Sequence, residues 1–458
     1  MKQNKSVEKY RSRKDKIINT DLMIEASQEA LSALRKIGYR IPRDNLPYTT
    51  FYHVKLPRNK NIEQALQDFE ELGVNDSVEF NTEIMLDIVV PKQDWPGYAT
   101  QITLQGCMDI DRLWGWLADY ENKNTLHPVI VGIMDKGIPK LDHENLKNAF
   151  LLPAFDAYNN FLVYSNDSVK YPNDGHSTYC SSVIATTPNS KVGFSGLCPN
   201  AKILPMKITN GAVDVVIAIA HAMERGARVL SMSVSMLSNL PASQILSAAR
   251  GRNIIVCMSS GNVANGSPSG IAQDKSVLSI SGITPCEMVE GGMENYPLDP
   301  LFRYQFCTAA FYNSGVNFFA PFHCPVIGME SYQMDWFILS GTSFSTPAVA
   351  SLFALLFSID PSLTWGDAVT LVARHCLPVR PNTYYPDQTF PHGYGVPQFV
   401  KTLWDLTGYQ SKFAKDGKDI RQLVARDAEG NKRYCKKMYY MDYEPGRIPE
   451  KILRHVWG

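Results

Sequence analysis

The sequence has no surplus of charge of either sign: 45 Lys and Arg are matched by 45 Asp and Glu. Nothing global therefore points to nucleic acid or to an anionic membrane surface as a partner. Long hydrophobic runs are also missing. The longest uncharged apolar stretch, around 349–359, is too short for a span that needs about 20 residues. The N-terminus, MKQNKSVEKYRSRKDKIINT, is basic, but no apolar core follows it, so it lacks the pattern of an export signal. The expectation is a soluble chain, cytoplasmic by default, with no membrane span. Cysteine is present without a pattern: nine residues, an odd number, none at C-x-x-C spacing. Several lie inside apolar runs, which reads as buried free thiols and not as a disulfide framework or zinc site. No D-x-D-x-D-G run marks a calcium loop. What remains is an ordinary globular composition, 45% hydrophobic and 20% charged. Its length suits one large α/β domain with attachments, or two or three domains.

Along the chain, residues 1–20 read as a basic flexible tail. Residues 21–37 carry apolar side chains at helical spacing and stop at Gly38, which predicts a helix with a glycine cap. A short strand at 51–56, a helix at 62–72 with one apolar face, and an extended run at 77–90 complete a small α+β unit over 21–98. Pro91 and the Pro96-Gly97 pair mark its boundary. Between 99 and 405 the pattern becomes apolar strands alternating with helices: PVIVGIMD, AKILPMKI, ARVLSMSV, NIIVCMSS and SVLSISGI. Helices are expected near 211–225 and 242–251. Continuous apolar strands are buried on both faces, so this part is predicted to be a doubly wound, mostly parallel α/β sheet with helices on both faces. Such sheets place their chemistry at the carboxyl ends of the strands. Residues 406–458 form a polar, basic extension with a hairpin expected around Glu429-Gly430.

Three segments carry chemistry. GTSFSTPAVAS, from Gly341 to Ser351, sets Ser343 in a turn opening onto a helix. A serine hydroxyl must be held at a fixed point near a base to act as a nucleophile, and a helix N-terminus favours developing negative charge. Pro347 is expected in the first turn of that helix, where it costs no hydrogen bond. VIVGIMD ends in Asp135, a carboxylate closing an apolar strand, which is expensive to bury without a partner. NDGHSTYCSSVIA puts His176 at a helix start. Alone, each segment also reads as ordinary capping. Their order, Asp then His then Ser, is the one that subtilisin uses for its triad.

Over about 105–405 the chain resembles the subtilase family. GIMDKGIPKLDHENL resembles the aspartate segment, with His143 as a structural histidine; HSTYCSSVIA resembles the histidine segment; GLCPNAKILPMKI the stretch after it; VLSMSVS the substrate-pairing strand; VCMSSGN the strand ending in Gly-Asn; GTSFSTPAVAS the serine segment; HGYGVP the closing turn. The resemblance implies a subtilisin-like fold and a serine endopeptidase acting on protein or peptide substrates. Ser343 would attack the scissile carbonyl, with His176 as its base and Asp135 orienting the imidazole. Asn262, after Gly261, would donate its amide to the oxyanion beside the Ser343 N–H. Ser233, Val234, Ser235 and Ser260 would line the substrate cleft. The 21–98 unit stands where subtilases carry a propeptide, a chaperone and inhibitor of the protease. Calcium stabilises many relatives, but no sequence run places a site here, and no cofactor is required.

The departures concern specificity. Lys136 follows the aspartate where relatives carry Thr, Ser or Asp, which predicts a preference for an acidic or neutral residue just before the scissile one. Ser235 and Met236 replace a Gly-Gly pair, which narrows the primary pocket towards small or medium residues. Ser177 and Ser182 replace two glycines of the histidine helix. Two other roles stay open: a dedicated maturation peptidase for one partner, and an inactive scaffold with this fold.

Overall fold

The computed structural model describes residues 17–42, 44–74, 78–82, 85–86, 107–110, 113–121, 124–167, 169–187, 196–209, 211–262, 268, 270–285, 304–306, 315–329, 336–377, 379, 393–409, 423–426 and 432–435.

The N-terminal unit consists of β1 (Ile17–Ile24), α1 (Gln28–Lys36), β2 (Tyr52–Lys55), α2 (Ile62–Glu71), β3 (Val78–Thr82) and β4 (Met85–Leu86). β1 lies between β2 and β3 in an antiparallel sheet. This corrects two expectations. Residues 17–20 belong to a strand and not to a tail, and the helix expected over 21–37 begins only at Gln28. Ser27 starts it by accepting the Ala30 N–H, while Asn61 and Gln64 form a reciprocal capping box at α2. DLMI imitates a helical stripe because all four side chains are buried, so no polar alternation betrays the strand.

The second unit follows in chain order: α3 (Leu113–Glu121), β5 (Val129–Asp135), β6 (Ala154–Asp156), β7 (Phe161–Val163), α4 (Gly175–Ala185), β8 (Ala201–Lys207), α5 (Ala212–Glu224), β9 (Val229–Met232), β10 (Val234–Ser235), α6 (Leu240–Gly251), β11 (Ile255–Ser259), β12 (Leu278–Pro285), β13 (Tyr304–Phe306), β14 (Phe318–Pro321), β15 (His323–Ile327), β16 (Trp336–Ser340), α7 (Thr342–Ile359), α8 (Trp365–Arg374) and α9 (Phe399–Thr407). The main sheet runs β13-β12-β11-β9-β5-β8-β6-β7, with β14 also paired to β12. Its inner pairings are parallel, and β7 and β13 are antiparallel edges. β17 (Leu423–Arg426) and β18 (Lys432–Cys435) pair as a hairpin in the C-terminal extension. The turn expected at Glu429-Gly430 lies outside the described residues, as do Pro91 and Pro96-Gly97.

Both faces of this sheet are covered, which explains its unbroken apolar strands. On one face Val131 and Ile133 of β5 pack in a core with α4 and α7. On the other, Met134 packs with α5 and α6, and that core also takes in Met23, Leu46 and Phe51 of the N-terminal unit. β1 is thus buried from two sides: Leu22 and Ile24 face Leu31, Leu66 and Phe69 of their own unit, while Met23 faces the second. α7 is apolar on every side and buried along nearly its whole length, as a helix enclosed by a large core must be. It is the one helix among the described residues long and apolar enough to cross a membrane, and 94% of that window is buried. Cys107, Cys180, Cys198, Cys257 and Cys324 are buried free thiols, and Cys376 is half-buried.

Candidate active site

Asp135 ends the central strand β5, opposite Lys207 of β8 and fully buried. Its two oxygens are both used. Oδ1 accepts the Lys136 N–H at 2.8 Å, and Oδ2 accepts His176 Nδ1–H at 2.6 Å. This bond fixes the tautomer that leaves Nε2 as acceptor. His176 sits in the first turn of α4, whose N-cap Asp174 accepts the Ser177 N–H at 2.7 Å. Gly137 permits this arrangement, because a Cβ there would stand 2.4 Å from Asp174 Cβ.

Burial disfavours a charged imidazole, and a helix N-terminus disfavours it further. Burial is the largest single effect, but the Asp135 charge and hydrogen bond, joined by Cys180, together outweigh it, and His176 binds its proton well above the ordinary histidine range. Asp174 is also raised, by burial and then by the neighbouring Asp135 charge.

Ser343 is the second residue of α7. It follows Gly341, whose φ of 146° only glycine adopts comfortably. Ser343 is fully buried in this structure, as is Thr342. The N–H groups of a helix's first turn have no acceptor within the helix itself, and Ser343 stands in that turn. Asn262 lies beyond the end of β11. Its Oδ1 accepts both the Thr342 N–H at 3.0 Å and the Thr342 hydroxyl at 3.1 Å. A backbone N–H can only donate, so the amide is oriented: oxygen towards Thr342, Nδ2 away from it.

One expectation about this segment is overturned. α7 begins at Thr342, so Pro347 lies inside the helix and not in its first turn. It removes the hydrogen bond that residue 347 would give to the Ser343 carbonyl, a loss of about 3 kcal/mol or more for interior proline in general. That carbonyl instead accepts from Ser233 Oγ at 2.7 Å and from Cys180 Sγ at 3.5 Å. Cys180 Sγ is also 4.0 Å from His176 Nε2, and burial pushes its thiol above the ordinary range. The sequence reading missed Cys180 and Thr342. The first had a signal, since it stands four residues after His176 on the same helix face; the second had only adjacency to Ser343.

The remaining candidates surround these groups. Ser233, Val234, Ser235, Ser260 and Gly261 are buried, and Lys136 is partly exposed. β10 pairs antiparallel with β4 of the N-terminal unit, Val234 with Leu86 and Ser235 with Met85. His143 lies apart from the base: Nδ1 accepts the Asn145 N–H and Nε2 meets the Gly328 carbonyl at 3.0 Å. Asp135, His176 and Cys180 converge within 4.8 Å. A single carboxylate with imidazole and thiol is not the oxygen-rich set that calcium takes, so no calcium fits there.

Residues 127–396, more than half of the chain, match the family model described as the subtilase family. Thermitase of Thermoactinomyces vulgaris is 26% identical over 203 residues, 42% of this chain and 64% of its own length. The chain spans less than two thirds of the curated relatives it matches, and only 25% of the cell wall-associated protease of Bacillus subtilis, to which it is 25% identical over 53% of its residues. Fervidolysin from Fervidobacterium pennivorans, a keratinolytic enzyme related to subtilisin, shares the fold with a TM-score of 0.63 at 17% identity, over 91% of this chain and 64% of that one. With the parallel sheet and the ordered aspartate, histidine and serine segments, these matches establish that the chain belongs to the subtilase family.

Proposed function

We propose that this protein is a serine endopeptidase in which Ser343, His176 and Asp135 form the catalytic triad. The observation that carries this reading is the buried 2.6 Å bond between Asp135 and His176, beside a serine at the head of a buried helix. His176 Nε2 takes the Ser343 proton as Oγ attacks the scissile carbonyl. A tetrahedral intermediate forms, and its oxyanion receives hydrogen bonds from the Ser343 N–H and Asn262 Nδ2. His176 then protonates the leaving amine, and an activated water releases the acyl group. Asp135 holds the imidazole's orientation and stabilises its charged form without taking the proton.

The N-terminal unit acts as an inhibitory segment in this reading. Its β4 strand lies on β10, where an extended substrate would add a strand through main-chain hydrogen bonds. Met23, Leu46 and Phe51 hold the unit on the second core. The latent form is therefore a chain with its own backbone along the cleft. For substrates, Lys136 favours an acidic or neutral residue before the scissile one, and Ser235 with Met236 favours a small or medium residue at the scissile position.

Intact-mass measurement with a fluorophosphonate, beside Ser343→Ala, tests the reading. Stoichiometric labelling that disappears in the variant supports it, and a shorter parent mass locates any removal of the N-terminal unit. A protein that stays folded yet refuses the probe after residues 1–98 are clipped would point to a scaffold with this fold.

A further inference from the structure

The Ser343 carbonyl is the oddity of the site. In a regular helix it would accept the N–H of residue 347, but residue 347 is proline and has none. The proline ring also crowds the carbonyl four residues back and tilts it off the helix axis. A buried carbonyl needs a partner, and two side chains from outside the helix supply one. Ser233 Oγ, from the residue between β9 and β10, donates at 2.7 Å, and Cys180 Sγ, from α4, donates at 3.5 Å. The serine bond is short and the thiol bond long, and thiols are weak donors, so Ser233 dominates.

We infer that Ser233 is a positioning residue for the nucleophile: its hydroxyl replaces the N–H that Pro347 withholds and thereby fixes the residue that bears the attacking oxygen. This rests on the reading of Ser343 as the nucleophile. The geometry explains why a tether is needed at this point. Ser343 lies in the first turn of α7, where helix ends fray most easily. Its backbone hydrogen bond to residue 347 is missing. A tether from β9–β10 joins the nucleophile directly to the strand on which substrate would pair, so the attacking group and the scissile carbonyl share one rigid reference. Cys180 does the same more weakly from the helix of the base, tying Ser343 to His176.

The coupling between positions 233 and 347 distinguishes this from a general packing role. Pro347→Ala returns an N–H to residue 347, which can then donate to the Ser343 carbonyl. Ser233→Ala should slow fluorophosphonate labelling of Ser343 by roughly 10- to 100-fold, the upper end being what a misplacement of about 1 Å costs. The loss should lie in the rate of the bonded step and not in probe affinity, and the pH midpoint of labelling should not move, since His176 and Asp135 are untouched. In the Pro347→Ala background, Ser233→Ala should cost no more than about 3-fold, because the carbonyl already has its partner. Ser233→Thr, which keeps the hydroxyl, should retain most of the rate. The measurement is labelling of the chain folded at full length and then clipped of its N-terminal unit, followed by intact mass, with thermal unfolding to show that each variant folds. Equal losses on Ser233→Ala in both backgrounds, or a loss entirely in affinity, would overturn the inference while leaving the nucleophile assignment intact. Failure of the parent protein to label at Ser343 after its N-terminal unit has been clipped would instead remove the peptidase reading, and this inference with it.

Discussion

Asn262 offers the sharpest test of the proposed chemistry, because its orientation follows from a clamp that can be taken apart in steps. Thr342 donates to Asn262 Oδ1 twice, from its N–H at 3.0 Å and from its hydroxyl at 3.1 Å. Replacement Asn262→Leu keeps similar bulk but deletes the Nδ2 donor. The loss of one oxyanion donor costs about 10²–10³ in kcat, or about 2.7–4 kcal/mol. KM should change little, since the amide meets charge that exists only in the transition state. Thr342→Val removes the hydroxyl and leaves the backbone N–H, so half the clamp survives. One neutral hydrogen bond is worth about 0.5–1.5 kcal/mol net, which gives a loss of about 2- to 10-fold. In the double variant the Thr342→Val effect should vanish, because no amide remains to be oriented. The assay is steady-state hydrolysis of an extended peptide by protein freed of its N-terminal unit, with kcat and KM measured separately. A kcat for Asn262→Leu within about 3-fold of the parent would refute the oxyanion role, set against the expected 10²–10³. Additive losses in the double variant would refute the clamp.

Other outcomes follow from the same geometry. Asp135→Asn should lower kcat by about 10⁴, since the imidazole loses the partner that sets its tautomer. Because Asp135 holds the His176 proton above the ordinary range, activity should fall as the medium becomes more acidic and His176 protonates, and Asp135→Asn should move that midpoint down. The linked stability runs the opposite way: the raised folded-state affinity stabilises the protein fully below the ordinary histidine pKa and is lost as pH rises through the folded value. Unfolding of inactive Ser343→Ala against pH reads this directly, and a stability that rises across that window would contradict it. Gly137→Ala puts a methyl 2.4 Å from Asp174 Cβ, against a residue that caps the histidine helix. A stability loss of about 1–3 kcal/mol with a larger fall in kcat is expected by denaturant titration and peptide hydrolysis; an unchanged kcat would show that the cap does not position His176. Thiophilic ions such as Hg²⁺ should inhibit by bridging Cys180 Sγ and His176 Nε2, 4.0 Å apart. Cys180→Ala should remove that sensitivity, and inhibition that persists in the variant would assign it elsewhere.

Much of this protein was legible in its sequence because the relevant signals are local. The strand VIVGIMD is apolar throughout, since both sides of its sheet are covered, and its terminal Asp135 stands out for that reason. The order of aspartate, histidine and serine segments likewise picks out the proposed site without any structure. Local signals failed where burial erased alternation: DLMI is buried on both faces of β1, so a strand between two cores imitated a helical stripe. Pro347 was misjudged for a related reason, because the helix start, and hence which carbonyl loses its partner, depends on where Gly341 breaks the chain.

Only the tertiary structure decided which groups meet. Ser233 reaches the Ser343 carbonyl across 110 residues of chain, and Asn262 meets Thr342 across 80. β4 lies on β10, although about 150 residues separate them. Sequence determined the residue types, their order and the elements that carry them, because propensity, capping and hydrophobic pattern act over a few residues. The packing of strands and helices determined the distances and orientations between them, because contacts so remote in the chain are set by the folded core as a whole.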